Sequence, residues 1–227
     1  MATKQIIMVA GATGLIGTEL MKLVLEERAI DHIYALTRST LPFSHPKLQT
    51  IVDSQLRILE WDDAHPVPDK GFICLGTTRK VAGSKHALEA VDYHLVCEVA
   101  NTMKLIGIKN LCVVSSVGAN PRSPSHYLRC KGKMEVALEK MHFDSVTFVR
   151  PGPLVGMRDT PRTDEAIVQS LLKIARPIML GRLARLIPIP AELVAKSMLY
   201  YSFTTHPRPV QIFDSIDMKE LIKKYQN

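Results

Sequence analysis

The segment Gly11-Ala12-Thr13-Gly14-Leu15-Ile16-Gly17 follows at once on the apolar run Ile6-Ile7-Met8-Val9-Ala10 and leads into Thr18-Glu19-Leu20-Met21-Lys22-Leu23-Val24-Leu25. A short apolar run, a glycine-rich break and a stretch with helical spacing predict strand, turn and helix. Such a tight turn needs residues without a Cβ where the backbone takes positive φ, where it approaches a ligand, and where helix packs on strand. Glycines 11, 14 and 17 supply three such places. The unpaired N–H groups of the helix start then face outward with the positive end of the helix dipole, which suits a pyrophosphate. The turn, with Gly11, Thr13, Gly14, Leu15, Ile16 and Gly17, is therefore expected to hold a dinucleotide. A glycine-rich turn of purely structural purpose is the alternative.

Downstream, short apolar runs alternate with longer helical patterns, which predicts an α/β, Rossmann-like, doubly wound parallel sheet. With 227 residues, 46% of them hydrophobic, the chain suits one such domain with its own core. Residues 157–209 are expected to form most of a small lid or substrate region. Ile33-Tyr34-Ala35-Leu36-Thr37 reads as the second strand, with Arg38 at its carboxyl end. An acidic residue there would bind a ribose 2′-OH, whereas an arginine can meet the 2′-phosphate of NADP. Because no Asp or Glu lies between residues 33 and 42, NADP is favoured. A merely solvated Arg38 is the competing reading. The third strand, residues 48–52, ends at Asp53, an acceptor for an adenine amino group. After the fourth, residues 71–75, Leu75-Gly76-Thr77-Thr78 offers a small-residue turn beside a cofactor, or simply a turn.

A helix is expected over residues 86–105, with Ala87, Val91, Leu95, Val99 and Met103 on its buried face. The apolar strand 111–114 then carries Ser115 and Ser116 beyond its carboxyl end, where open α/β sheets bind their ligands. In the next helix Tyr127 and Lys131 are four apart and share one face. A phenol with a pKa of about 10 is a poor acid–base group at neutral pH, and a neighbouring ammonium stabilises its anion. Ser116 would hold a substrate oxygen while Tyr127 moves the proton. Tyr and Lys at this spacing are common as plain packing. Their weight here comes from the conjunction with a serine at a strand end and the glycine turn upstream.

Together these residues resemble the short-chain dehydrogenase/reductase superfamily in its atypical, NAD(P)-binding branch. More narrowly, Phe72-Ile73-Cys74-Leu75-Gly76-Thr77-Thr78-Arg79, Ser115-Ser116-Val117-Gly118-Ala119, Tyr127-Leu128-Arg129-Cys130-Lys131-Gly132 and Phe148-Val149-Arg150-Pro151-Gly152 are similar to the Tat-interacting-protein oxidoreductase family and its bacterial relatives. The resemblance implies bound NADPH, Tyr127 and Lys131 as the catalytic pair, and Ser116 or Ser115 as the third member. It also places Pro151, Gly152 and Leu154 over the nicotinamide. Asp92 departs from the pattern, since many superfamily members have an Asn there for a proton relay.

The four cysteines, Cys74, Cys97, Cys112 and Cys130, form no CxxC pair and read as buried thiols of a reducing cytosol, with no metal site. No signal peptide is recognised and no apolar run reaches the roughly 18 residues of a membrane span, so a cytoplasmic protein is expected. The net charge of +7 comes from basic residues interspersed with acidic ones, which reads as an ordinary basic surface without nucleic-acid binding. Helices are expected over residues 163–174, 191–201 and 215–225, and strands over 187–190 and 210–213. The stretch 175–186 reads as a lid, a dimer surface or an amphipathic membrane patch. The functional reading is an oxidoreductase acting on a small carbonyl or alcohol, with a homodimer conceivable. A dinucleotide-sensing protein with little turnover and an epimerase-like enzyme are the alternatives.

Overall fold

The computed structural model describes residues 4–155, 181–204 and 208–226. Seven parallel strands form the central sheet: β1 (Gln5–Ala10), β2 (Ile30–Thr37), β3 (Leu48–Val52), β4 (Lys70–Ile73), β5 (Asn110–Val114), β6 (Ser145–Arg150) and β9 (Val210–Asp214). Their order is β3-β2-β1-β4-β5-β6-β9. The chain winds outward one way from β1 and then the other, so a crevice opens between the carboxyl ends of β1 and β4, where such sheets bind ligands. A separate parallel pair, β7 (Leu154–Val155) with β8 (Ile189–Pro190), lies just past the end of β6. This is the Rossmann-like α/β fold that the alternation of runs predicts.

The helices are α1 (Leu15–Glu26), α2 (Arg79–Ala82), α3 (Lys85–Glu89), α4 (Val96–Leu105), α5 (His126–Glu139), α6 (Ala191–Ser202) and α7 (Ser215–Gln226). A π-helical segment, Ala90–Leu95, joins α3 to α4, and a 3₁₀ segment covers Gly181–Leu186. Because strand side chains alternate, Ile7 and Val9 face one layer while Met8 and Ala10 face the other. The first layer packs Val9, Phe72, Val114 and Val149 against Leu20 and Val24 of α1, Val194 and Met198 of α6 and Met218 of α7. The second packs Met8, Ile73, Val113 and Phe148 against Val96, Val99, Met103 and Met134.

Two expectations about elements need correcting. β2 begins at Ile30, three residues early, because exposed Asp31 and half-buried His32 break the apolar run while Ile30 is fully buried. In the long helical stretch, Ala87, Val91 and Leu95 are only half-buried, and Leu88, Asp92 and Val96 take the core positions. The buried row therefore sits one residue further on as far as Val96, with a carboxylate at its centre, whereas Val99 and Met103 are fully buried as the spacing predicts. The helix expected over 163–174 lies outside the described residues, as do residues 175–180 of the stretch 175–186.

Candidate active site

The glycine turn divides its work among its three glycines. Gly11 has φ +87°, and a Cβ there would lie 2.8 Å from the Cys74 carbonyl carbon. A Cβ on Gly17 would come within 1.9 Å of the Gly11 oxygen. Both glycines are therefore demanded by the packing of α1 onto β1 and β4. Gly14 is different: its φ of −77° suits any residue, and a Cβ would meet its nearest neighbours at 3.4 and 3.6 Å. What Gly14 leaves open is space at the start of α1, which has no side-chain cap and no acidic residue in its first turn. Unsatisfied N–H groups beside such a gap are an anion cradle. The residues present thus fit a dinucleotide pyrophosphate.

That cradle opens into a cleft of about 610 Å³. Of the residues singled out from the sequence, Gly14, Leu15, Ile16, Leu75, Gly76, Thr77, Thr78, Ser115, Ser116, Tyr127, Lys131, Pro151, Gly152 and Leu154 all border it. Gly11, Thr13, Gly17, Arg38 and Asp53 do not. Arg38 is exposed just past the end of β2. Asp53 works locally, since one of its carboxylate oxygens accepts the N–H groups of Gln55 and Arg57 at 2.9 and 2.8 Å. These bonds hold the turn that buries Leu56 at φ 56°. The same two bonds, that to Arg57 first, hold the Asp53 carboxyl below its ordinary range despite some desolvation.

α5 carries the candidate chemistry. Ser125 caps its start, and Gly132 lets residues 120 and 121 approach so closely that a Cβ there would lie 2.2 Å from the Asn120 carbonyl carbon. This close seat sets Tyr127 and Lys131 over the end of β5. Tyr127 is half-buried, and its hydroxyl has no hydrogen-bond partner among the described residues. Lys131 is 1% exposed; its Nζ donates to the Val114 carbonyl at 3.2 Å and lies 2.9 Å from Asp92 Oδ1. Burial alone would push this ammonium towards losing its proton. Asp92, Tyr127 and Glu135 outweigh burial and move its pKa upward.

The two serines have separate duties. Ser115 is 2% exposed and donates to Glu135 Oε1 at 2.5 Å, and Glu135 also receives Arg150 on both carboxylate oxygens. That buried network ties β5, α5 and β6 together under the cleft. Ser116 is half-buried, and its hydroxyl makes only a weak contact to the Val117 carbonyl at 3.4 Å, so it is the freer of the two. The loop after β6 is also internally engaged. Gly152 N–H donates to Ser215 Oγ at 2.8 Å, and the Pro151 carbonyl accepts from Val117 N–H at 3.0 Å. These two backbone groups are therefore occupied within the chain, and the loop's contribution to the cleft is chiefly its surface.

The cleft also includes Cys74, Val81, Val114, Val117, Pro153 and Leu186, which the sequence did not single out. They are apolar or thiol residues; Cys74 and Val117 lie within the motifs at 72–79 and 115–119 but carry no expected site role there. Asp92, the departure from the superfamily pattern, proves to be wholly buried on the cleft wall. Glu89, His126 and Cys130 gather nearby. There Lys133 pairs with Glu89 at 3.1 Å, while the ring nitrogens of His126 meet the Arg129 guanidinium at 3.3 Å and the Lys85 carbonyl at 3.1 Å. With two cations at its edge and both imidazole nitrogens engaged, this cluster is a satisfied polar network.

This fold, with a glycine cradle and a Tyr–Lys pair on one cleft, is a Rossmann-like α/β fold. Among solved structures it is similar to MoeE5 in complex with UDP-glucuronic acid and NAD, with a TM-score of 0.65 at 16% identity over 91% of this chain and 75% of that one. A UDP-glucose 4-epimerase from Thermotoga maritima gives 0.65 at 14% over 96% and 82%. The chain belongs to the FMP52 family. It is 36% identical over 156 residues to the mitochondrial protein FMP52 of Candida albicans, covering 66% of this chain and 67% of that one. The FMP52 of Eremothecium gossypii is 29% identical over 220 residues, 96% and 97% of the two chains. The HIM1 family model matches residues 70–182. These relatives replace the narrower Tat-interacting-protein likeness as the family shown. Their designation as mitochondrial also overturns the cytoplasmic expectation, which had rested on the lack of a recognised signal and of a membrane span. Among the described residues no helix is long and apolar enough to cross a membrane.

Proposed function

We propose that this chain is an NAD(P)(H)-dependent oxidoreductase of mitochondria that reduces a small carbonyl or oxidises the corresponding alcohol. The observation that carries the reading is the placement of Tyr127 and Lys131, one turn apart, in the same cleft as the uncapped start of α1. Gly14, Leu15 and Ile16 would hold the pyrophosphate, and Leu75 to Thr78 with Ser115 would border the rest of the cofactor. When bound, the dinucleotide supplies the hydride. Ser116 orients the substrate oxygen, Tyr127 exchanges the proton with it, and Lys131 sets the charge beside the phenol. Of the region 157–209, Leu186 is the described residue that borders the cleft. The narrower likeness to the Tat-interacting-protein oxidoreductases, carried by the motifs at 72–79, 115–119, 127–132 and 148–152, supports the same reading.

Turnover tests it. With a panel of aldehydes, ketones and quinones, Tyr127→Phe should lower NADPH oxidation by roughly 10²–10⁴-fold, the usual contribution of a positioned proton-transfer group, with cofactor affinity nearly unchanged. NADPH binding without any turnover above that of Tyr127→Phe would replace this reading with a dinucleotide-sensing protein. Cofactor choice is a finer proposal that rests on Arg38 at the end of β2. NADPH should bind more tightly than NADH, and Arg38→Asp should remove about 1.5–3 kcal/mol of that preference. Equal affinities in the unaltered protein would take Arg38 out of the site.

A further inference from the structure

We propose that Asp92 is a positioning residue: its carboxylate holds Lys131 as an ammonium aimed over Gly76 into the cleft and ties it to the turn after β4. Four observations converge on this. Asp92 is 0% exposed, and its Oδ1 sits 2.9 Å from Lys131 Nζ and takes no other partner among the described residues. Its Oδ2 accepts Thr77 N–H at 3.0 Å, so a single carboxylate spans the lysine and the 76–78 turn. Gly76 leaves the space above the pair open, since a Cβ there would lie 3.3 Å from Oδ1 and 3.6 Å from Nζ. Finally, Asp92 lies within the π-helical segment Ala90–Leu95, and interruptions of this kind in α-helices concentrate at functional sites.

The energetics favour a role in geometry over one in stability. Withdrawing two charges from water costs about what their attraction returns, and an apolar pair of similar volume is often as stable. What the ion pair provides is direction. Nζ donates one proton to the Val114 carbonyl and faces Asp92 Oδ1 as an ion pair at 2.9 Å, with the open space over Gly76 beside both. The other groups facing the ammonium are Tyr127 and Glu135 on its own helix. Glu135 is shared with Arg150 of β6 and Ser115 just past β5, so its charge is already matched. Asp92 is thus the carboxylate that decides the state of Lys131.

The inference rests on the oxidoreductase reading only for what the ammonium meets in the cleft, and its test does not need turnover. In protein carrying ¹³Cε-labelled lysine, the Lys131 resonance is identified by its loss in Lys131→Met and titrated by NMR. Asp92→Asn keeps the shape and the acceptor for Thr77 N–H but removes the charge, so burial should then dominate. Lys131 should release its proton at least about one pH unit lower than in the unaltered protein, a tenfold change in proton affinity. NAD(P)H affinity in Asp92→Asn should fall with rising pH across that same interval, where the unaltered protein shows no fall. Asp92→Thr, which also retains an oxygen for Thr77, makes the same comparison if the Asn variant does not fold. An unmoved Lys131 titration in a folded variant overturns the inference even if NAD(P)H binds. A shifted titration in a protein that binds no dinucleotide upholds the inference and removes the oxidoreductase reading instead.

Discussion

At the scale of single residues, the three glycines of the first turn separate folding from binding. Gly17→Ala forces a Cβ to within 1.9 Å of a backbone oxygen, where no flexible side chain can give way. Overpacking of that kind should cost about 3 kcal/mol or more, read as a lower denaturation midpoint in urea. Gly14→Ala meets only ordinary contacts, so its stability should stay within about 1 kcal/mol of the parent while dinucleotide affinity falls, as calorimetry would measure. A folded Gly14→Ala that binds as tightly as the parent would show that the cradle is not where the pyrophosphate sits. The serines divide in a similar way. Ser115→Ala strips a buried hydrogen bond from Glu135 and should cost about 1–3 kcal/mol with little change in cofactor affinity, whereas Ser116→Ala should lower turnover and leave stability alone. The spacing of the glycines and the pairing of the serines were readable in the chain. Which glycine serves packing, and which serine faces the cleft, depends on how close distant backbone comes, and neighbours along the sequence do not encode that. Asp53 shows the same limit. An acid at a strand end reads as a ligand group, and the turn that its Oδ1 holds around Leu56 is a second duty that its neighbours along the strand do not announce.

At the scale of elements, the alternation of apolar runs and helical stretches was enough to predict a doubly wound parallel sheet, because strands buried on both faces need continuous apolar residues such as Leu111-Cys112-Val113-Val114. The long helical stretch was harder to read. Apolar spacing pointed inward with Val91, but Asp92 is the buried residue, since an ion pair with Lys131 offsets its desolvation. No pattern within the helix could reveal a partner 39 residues away. A similar dependence on distant partners holds the C-terminal elements, where α6 and α1 pack against each other through Leu20, Val24, Val194 and Met198. Arg185 pairs with Asp214 at 2.7 Å, and Ser215 receives Gly152 N–H, so the segments around the cleft are anchored to the end of β9. Leu20→Ala, wholly buried in that contact, should cost about 2–5 kcal/mol in chemical denaturation. A loss below about 1 kcal/mol would mean that α6 does not need α1 to hold its place.

At the scale of the whole molecule, the thiols make stability depend on alkaline pH. Desolvation pushes Cys74 up to about 12 and Cys97 up to about 11, and Cys112 rises further still under burial and its neighbour Cys74. Each of these groups is held neutral in the fold and ionises near its ordinary value of about 8.5 once unfolded. A folded-state pKa raised above the unfolded one contributes stability that is fully present below the unfolded value and is lost as pH rises through the folded one. The window therefore opens near pH 8.5 to 9 and runs to about 12 for Cys74. Within it, each fully buried thiol removes up to about 1.4 kcal/mol per pH unit. Lys131 acts in the same direction, but only above its ordinary range, because Asp92 raises its pKa against the pull of burial. Urea unfolding in reducing buffer should thus show a decline between pH 9 and 10.5 of up to roughly 2 kcal/mol from buried Cys112, with a smaller part from Cys74, which is only half-buried and borders the cleft. Replacing both by alanine leaves small cavities that lower stability at every pH, yet the variant's decline over that interval should be shallower by the same amount. If the two stability curves run parallel from pH 8 to 10.5, the thiolates are not excluded from the folded protein, and the packing of buried Cys112 and half-buried Cys74 against the α1 face of the sheet is not what sets its alkaline limit.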